Sequence, residues 1–406
     1  MPTKLKVLFL GHEVSDFMAP LARKLREEYS YYIGLFEIRT EKRKEDRIAV
    51  SFDANIPPPI ESIRINQLLK LIFSSFFYRT IRNYGSLKAA MRHALKYDFY
   101  KKAFSEYELF NIHLVNVHSL AYIDFMPARA KIILTFWGSD LLNTRDESKE
   151  AVAKAVDRAD CIMVHSVEMR EILLAKYGRE LYDKVKISLL IDDTSRLKEV
   201  VDRLPQKKGI IKNFKKKYGI PDERRIVTVG HSGRSLDSHV AIIEAIGKLE
   251  EKYKKDVFLV LPMTYSFETK DYIESVERLL KNNGLDALIL KDYLSEEELY
   301  ESRLASEILV RLPKYDAFSL ALSESICSDN IIVSASWLPY GRLKRFNIYY
   351  HELDYYADIT KALQQILNNF SLELERHKGN HQKMFKLFQS EKISFNYNEV
   401  FKSLWS

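Results

Sequence analysis

Short apolar runs that alternate with helical segments are the feature that most restricts the fold of this chain. Each run is closed by polar residues or glycine, and apolar residues with helical spacing follow it. This alternation is typical of parallel sheets with helices on both faces, because parallel strands need long crossover connections. The predicted strands are Lys6–Leu10, Tyr31–Phe36, Leu114–Val117, Lys131–Phe136, Cys161–Val164, Arg225–Val229, Val257–Leu261, Ala287–Leu290, Ile308–Leu312 and Ile331–Val333.

The length of the chain requires two such sheets. It has 406 residues, whereas a single hydrophobic core stops growing at roughly 250–300 residues. A polar, strongly basic segment from Arg196 to Arg225 separates the two sets of strands. We therefore predict a first domain over residues 1–205, a second over 206–385, and a terminal segment over 386–406.

Composition restricts the cellular location, the metal sites and the binding partners that this protein can be expected to have. The two cysteines, Cys161 and Cys327, lie in apolar runs, which favours buried free thiols, a reducing cytoplasmic location and no structural zinc or iron–sulfur site. No apolar run reaches the ~18 residues of a membrane span. The net charge of +7 favours an anionic partner, but no nucleic-acid-binding module is recognisable, so nucleic acid is not an expected partner.

Polar residues follow several predicted strands of the first domain, where parallel sheets bind ligands. His118 follows one strand, and the turn containing Trp137 and Asp140 follows the next. His12 and Asp16 lie in the loop after the first strand. Taken singly, all of these residues are typical of turns and helix caps, and that interpretation is preferred for His12 and Asp16. His118, the turn with Trp137 and Asp140, and the pair His165 and Ser166 after the next strand together indicate one edge that faces a ligand.

The loop after Val229 has the composition of a phosphate site. Gly230 and Gly233 permit close approach of the backbone, and Arg234 can form two parallel hydrogen bonds to phosphate oxygens. Ser232 lies between the glycines, and His239 lies near the start of the helix that follows. The alternative is a simple glycine turn.

A stretch from Lys314 to Ser336 contains two acids eight positions apart, Asp316 and Glu324. Asp316 lies in a loop, Phe318 and Ser319 lead into a helix, and Glu324 lies inside that helix. The free N–H groups at the helix start suit a diphosphate. An amphipathic helix with two surface acids remains the alternative.

This pattern resembles the retaining glycosyltransferases of family four, which have the GT-B fold and an acid-x7-Glu motif. The segment Tyr218–Asp222, which precedes the second set of strands, is also similar to the corresponding segment of that family. The chain departs from the family by Asp316 in place of glutamate, by Trp137 where a histidine is usual, and by an unfilled lysine position after Arg234. His239 is the candidate to replace that lysine.

The resemblance implies a fold and a set of roles. The fold would be α/β, GT-B, with two Rossmann-like domains whose parallel sheets face a deep interdomain cleft, and the last helix would cross back to the first domain. His118, Asp316 and Arg234 would be catalytic. Donor-binding residues would be Gly230, Ser232, Gly233, Arg234, His239, Phe318, Ser319 and Glu324, with Tyr293 and Arg311 as alternatives for base contacts. The acceptor side would hold His12, Asp16, Trp137 and Asp140.

The function implied is a hexosyl- or N-acetylhexosaminyl-transferase that uses a nucleotide-sugar donor, needs no metal or cofactor, and retains the anomeric configuration of the sugar. Its acceptor would be a glycan or lipid-linked sugar in surface polysaccharide or glycolipid synthesis. A GT-B nucleotide-sugar epimerase or hydrolase would share the phosphate site without needing an acceptor. A non-catalytic GT-B partner subunit is a further alternative.

The segment from Ser62 to Tyr97 predicts contact with an anionic membrane. It contains no acid, and large apolar residues separate its cations. Such a segment fits the surface of a bilayer, with apolar groups inserted and cations on lipid phosphates. The alternative is a pair of core helices with a solvated basic face. The cations are Arg64, Lys70, Arg79, Arg82, Lys88, Arg92 and Lys96.

Overall fold

A computed structural model of the chain describes residues 4–11, 18–38, 51–56, 97–144, 146–188, 194–264, 270–390 and 393–405. His12, Asp16 and the basic segment 62–96 lie outside the described residues. The chain forms two compact units, residues 1–192 with 392–406, and residues 193–391. Among the described helices, none is long and apolar enough to cross a membrane.

Among its described residues, the first unit contains a parallel sheet of seven strands in the order β3-β2-β1-β4-β5-β6-β7. Its strands are β1 Lys6–Gly11, β2 Tyr32–Glu37, β3 Ala54–Ile56, β4 Leu109–His113, β5 Lys131–Thr135, β6 Cys161–Val164 and β7 Val185–Ile187. The α-helices described in this unit are Met18–Tyr29, Tyr97–Phe104, Val117–Leu120, Ser139–Leu142, Asp146–Arg158, Val167–Tyr177 and Ile393–Trp405.

In the part of the second unit that the structure describes, six parallel strands form a sheet in the order β10-β9-β8-β11-β12-β13. Its strands are β8 Arg225–Val229, β9 Val257–Pro262, β10 Ala287–Leu290, β11 Ile308–Arg311, β12 Ile331–Ala335 and β13 His351–Leu353. The α-helices described here are Ser195–Asp202, Lys207–Tyr218, His239–Ile246, Glu251–Asp256, Lys270–Asn282, Glu296–Ala305, Leu320–Cys327, Gly341–Arg345, Asp358–Asn368, Phe370–His377 and Asn380–Ser390.

The unit boundaries differ from the predicted 205 and 386. The helix Ser195–Asp202 packs on the helix Leu320–Cys327 of the second unit, so that unit begins earlier. The helix Asn380–Ser390 also packs on Leu320–Cys327 and belongs to the second unit. Both helices bury apolar surface in the second unit. The predicted boundary relied on the charge of the segment, which does not indicate where a helix packs.

The last helix, Ile393–Trp405, belongs to the first unit. Tyr31 Oη donates a hydrogen bond to Asn398 Oδ1 at 2.8 Å, and both groups are buried. Tyr397 is 1% exposed, and its hydroxyl lies 3.4 Å from Thr135 Oγ1 on β5. The last helix therefore completes the core of the first unit.

One strand prediction is wrong. The central strand is β4 at Leu109–His113, not Leu114–Val117. Leu114 has a positive φ of 59° and ends the strand, and the side chain of Asn116 caps the helical turn Val117–Leu120. The sequence obscured β4 because Asn111 lies in its centre, where it is buried and accepts a hydrogen bond from Thr135 Oγ1 at 2.7 Å.

Candidate functional site

Four loops of the second unit meet at the carboxyl edge of its sheet, where parallel sheets bind ligands. They follow β8, β11, β12 and β13, and hydrogen bonds connect them to one another. These bonds join Lys314 N to Leu236 O at 3.0 Å, Trp337 Nε1 to Pro313 O at 3.0 Å, and Tyr356 Oη with Ser238 Oγ at 2.9 Å. The edge is therefore a connected surface rather than a set of independent turns.

Asp237 organises the loop after β8. Its Oδ2 accepts hydrogen bonds from the Ser232 backbone N–H at 2.9 Å and from Ser232 Oγ at 2.6 Å, and its Oδ1 lies 3.0 Å from His231 Nδ1. Burial alone would raise the pKa of Asp237, but His231, Ser232 and nearby Arg311 hold it below its ordinary value. Ser232 thus has both polar groups engaged within the loop.

Arg234 lies on the same loop and is exposed. Within the described part of the chain its guanidinium makes no hydrogen bond or ion pair, and only its backbone carbonyl is engaged, by Asp237 N at 3.1 Å. The helix His239–Ile246 begins five residues later, so its positive N-terminal end lies near a cation that nothing in the described chain neutralises. An anion is the ligand that this combination suits.

His239 does not supply the missing positive charge. Its side chain is fully buried, and its Nδ1 lies 3.1 Å from Tyr272 Oη. Burial lowers the pKa of His239 to about 4, so the imidazole is neutral near pH 7. Its Nε2 is buried without a hydrogen-bond partner in the structure and lies against Gly230. The idea that His239 replaces a lysine is therefore corrected.

Gly230 is required by its conformation and by His239. Its φ is +69°, and a Cβ at this position would lie 2.5 Å from His239 Nε2. We expect Gly230→Ala to destabilise the second unit by about 2–4 kcal/mol, from left-handed strain together with overpacking. Urea unfolding measures this. The control is Gly209→Ala, where a Cβ meets nothing within 4 Å; equal unfolding midpoints for the two variants would contradict the expectation.

Asp316 is held by two buried groups. Arg311 Nη1 donates to Asp316 Oδ2 at 2.9 Å and lies 2.8 Å from Tyr340 Oη, and the Tyr340 hydroxyl also donates to Asp316 Oδ2. Arg311 is 2% exposed, and Asp316 raises the pKa of Arg311 despite its burial. Arg311 therefore fixes Asp316 and is not placed to contact a base. Oδ1 of Asp316 forms no hydrogen bond within the described ranges.

Glu324 also pairs with arginine. It is 2% exposed, and its Oε2 accepts from Arg303 Nε at 3.1 Å. Its Oε1 lies 3.8 Å from Arg196 Nε and has no hydrogen-bond partner in the structure. Sequence reasoning missed Arg303 and Tyr340, because their positions alone carry no signal that they face the two acids.

Phe318 and Ser319 form the start of the helix Leu320–Cys327. Ser319 Oγ accepts a hydrogen bond from Leu322 N at 3.1 Å and so caps the helix. The Phe318 ring packs edge-on against Tyr340, with centroids 6.0 Å apart. Both residues hold the loop that carries Asp316 in place.

In the first unit, the structure places His113 rather than His118 at the end of β4. His118 is exposed on the following helical turn. His113 is 1% exposed, and its Nδ1 accepts from Trp137 Nε1 at 3.3 Å, which leaves the proton on Nε2. That Nε2 is buried without a hydrogen-bond partner in the structure, and burial lowers the pKa of His113 to about 3. His113 could have been identified as the last residue of a strand. Asn111 interrupts the apolar run of that strand, so the sequence pattern did not reveal it.

Asp140 has a structural part in the turn after β5. It accepts backbone hydrogen bonds from Val115 at 2.8 Å, Trp137 at 2.9 Å and Gly138 at 2.7 Å. Burial raises the pKa of Asp140 to about 6, although these N–H groups act in the opposite direction. Asp140 and Trp137 therefore lie at one edge of the first sheet together with His113.

We expect acid to destabilise the second unit. Burial lowers the pKa values of His239 and His377 to about 4, so between pH 6.5 and 4 the unfolded chain binds protons that the folded unit does not. Stability is then highest above pH 6.5 and is lost as pH falls, by roughly 2–3 kcal/mol per pH unit for two histidines. In the first unit, the raised pKa of Asp140 offsets the lowered pKa of His113.

Hydrogen exchange at pH 7, 6, 5 and 4, followed on peptides from each unit, measures this difference. His377 Nε2 accepts from Ile332 N at 3.2 Å, and its Nδ1 lies 2.8 Å from Glu373 O. His377→Gln keeps a donor and an acceptor without titrating and should remove about half of the slope. If the stability of this variant and of the wild type depends equally on pH, protonation of His377 is not a cause of the loss in acid.

Solved structures share this fold. A glycosyltransferase from Rickettsia africae has a TM-score of 0.67 at 13% identity, covering 99% of both chains. HepE from Anabaena in complex with UDP and glucose has a TM-score of 0.67 at 12% identity, covering 98% of this chain and 99% of that one. Sucrose-phosphate synthase from Thermosynechococcus elongatus has a TM-score of 0.67 at 13% identity, covering 99% of both.

No family model and no curated protein matches the sequence. At these identities the structural likeness shows the fold alone. The predicted fold class is confirmed: two parallel-sheet, Rossmann-like domains as in GT-B glycosyltransferases.

Proposed function

We propose that this chain is a glycosyltransferase that moves a sugar from a nucleotide-sugar donor to a glycan or lipid-linked acceptor. The observation that carries the proposal is the loop after β8, where the exposed guanidinium of Arg234 has no partner in the described chain and lies beside a helix N-terminus. The structural neighbour HepE, solved with UDP and glucose, supports a donor of this class.

The diphosphate would contact Arg234, the backbone of Gly230 and Gly233, and the N–H groups at the start of the helix Leu320–Cys327. Asp316 Oδ1 would accept hydrogen bonds from sugar hydroxyls, and Glu324 Oε1 from the ribose. As the sugar bond breaks, negative charge grows on the leaving diphosphate, and Arg234 and the helix dipoles would stabilise it. Retention of configuration and independence of metal and cofactor extend the proposal from the family resemblance.

A thermal-shift panel of UDP-, GDP-, CDP- and TDP-sugars, followed by nucleotide-release assays on each hit, tests the proposal. A shift with acceptor-dependent release is expected. Release without any acceptor would favour a hydrolase or epimerase instead. A shift without release, with or without acceptor, would favour a non-catalytic partner subunit, and the absence of any shift would contradict the donor site.

The donor sugar is proposed to be a hexose or N-acetylhexosamine, and the acceptor a precursor of surface polysaccharide or glycolipid. Membrane contact through residues 62–96 stays a prediction, because that segment lies outside the described residues. Co-sedimentation with anionic liposomes at low salt tests it, with Arg79, Arg82, Lys88 and Arg92 changed to Gln for comparison. Equal sedimentation of both proteins would remove the membrane from the proposal.

A further inference from the structure

Trp337 is an exposed aromatic residue that the structure holds in one position. It lies in the loop after β12 and is 40% exposed. Its Nε1 donates to Pro313 O at 3.0 Å, and its ring packs edge-to-face on Tyr356, with centroids 5.3 Å apart. Because the polar atom is already bonded, the exposed surface of the indole is hydrocarbon.

The backbone around Trp337 is also fixed. Leu338 and Tyr340, which follow it, are 6% and 1% exposed, and Ser336 N donates to Leu353 O at 2.9 Å. A surface tryptophan with no partner normally keeps its rotamer freedom, and ordering one costs conformational entropy. The contacts of Trp337 therefore present a rigid apolar plate toward solvent.

The same contacts place this plate beside the polar groups of the site. Pro313, which accepts the indole N–H, is three residues before Asp316, and Tyr340, three residues after Trp337, bonds to Asp316. Tyr356, which supports the indole, bonds to Ser238 at the end of the loop that carries Arg234. An apolar surface and a carboxylate carried by the same hydrogen-bonded loops match a pyranose ring, whose C–H face is apolar and whose hydroxyl groups donate hydrogen bonds.

We propose that Trp337 is a platform on which a pyranose ring stacks at this edge of the sheet. The inference rests on the proposed function and adds a specificity-determining residue to it. The sugar has two possible sources, the donor and the acceptor, and both offer the same apolar face. Stacking of this kind would select rings by the orientation of their hydroxyls, because an axial hydroxyl on the stacked face would meet the indole.

Fluorine NMR of protein labelled with 5-fluorotryptophan tests the platform directly. The chain has three tryptophans, Trp137, Trp337 and Trp405, and Trp337→Phe assigns the resonance of interest. UDP-glucose and GDP-mannose are compared with UDP and GDP, and methyl glucoside and maltose are added in a separate series. A shift with a nucleotide sugar but not with its nucleoside diphosphate assigns the platform to the donor. A shift with the glycosides assigns it to the acceptor.

Affinity gives a second readout. Trp337→Ala should weaken the ligand that shifts the resonance by about 2- to 10-fold, the range for an aromatic contact, and leave the nucleoside diphosphate unchanged. Trp405→Ala is the matched control, because Trp405 is 50% exposed and lies in the other unit. Trp337→Phe should retain most of the affinity.

A Trp337 resonance that no sugar-bearing ligand moves would overturn the platform, whether or not UDP or GDP binds. If a nucleoside diphosphate binds and nucleotide release proceeds while Trp337 stays unmoved, the glycosyltransferase proposal stands and only the platform fails. If glycosides move Trp337 while no nucleotide binds, the platform stands and the donor proposal fails.

Discussion

Glu324→Leu is expected to lower the free energy of unfolding of the second unit by about 3–5 kcal/mol, the range for breaking a buried ion pair from one side. Glu324 and Arg303 are 2% and 5% exposed, and their side chains bond at 3.1 Å. Removing the carboxylate leaves the Arg303 guanidinium buried without its counter-charge. Urea unfolding followed by circular dichroism measures the loss.

The double variant Glu324→Leu with Arg303→Met is the control, because it removes both charges and keeps apolar volume. Replacing a buried pair by apolar residues is often neutral, so the double variant should recover most of the stability. If it is as unstable as Glu324→Leu alone, the ion pair is not the cause. This variant also keeps the test valid if Glu324→Leu does not fold.

Arg234→Gln is expected to lower kcat by about 10²–10³-fold, the range for losing one group that stabilises charge in the transition state. The melting temperature should not change, because the Arg234 side chain is exposed and makes no hydrogen bond or ion pair within the described chain. Nucleotide release with the donor identified in the panel gives kcat and KM. A fall in kcat larger than the rise in KM is the sign of transition-state stabilisation.

Arg179→Gln is the matched control for this change. Arg179 has a side chain that is 77% exposed and pairs only at the surface with Glu171, so turnover should be unaffected. A normal kcat in Arg234→Gln would contradict the phosphate role and show that Arg234 is a surface residue without a part in turnover. Arg234→Lys should keep part of the activity, because the charge remains but the two parallel hydrogen bonds are lost.

The alternation of apolar runs predicted both sheets, because a buried parallel strand leaves a continuous apolar signal. It failed at β4, where buried Asn111 bonds to Thr135 and interrupts that signal. It also missed β3, β7 and β13, which are only three residues long. Strands this short carry too few positions for a pattern to show.

The candidate site was predictable in part. Glycine spacing and the two acids located the loop after β8 and the loop before the helix Leu320–Cys327, because both depend on neighbours in sequence. The partners of the acids were not predictable, since Arg303 reaches Glu324 across 21 positions and Tyr340 reaches Asp316 across 24. His239 shows the same limit: its neutrality follows from burial, which its position after the loop does not disclose.

The pairing of each motif acid with its own arginine has a consequence for how an anion approaches. Two uncompensated carboxylates would repel a diphosphate, and at short range within a protein such repulsion amounts to several kcal/mol. Here Arg311 and Arg303 cancel the formal charges of Asp316 and Glu324, while Arg196 lies 3.8 Å from the second acid. These ion pairs therefore reduce the repulsion that both acids would exert on an entering anion, and Arg234 remains the exposed cation of the loop after β8.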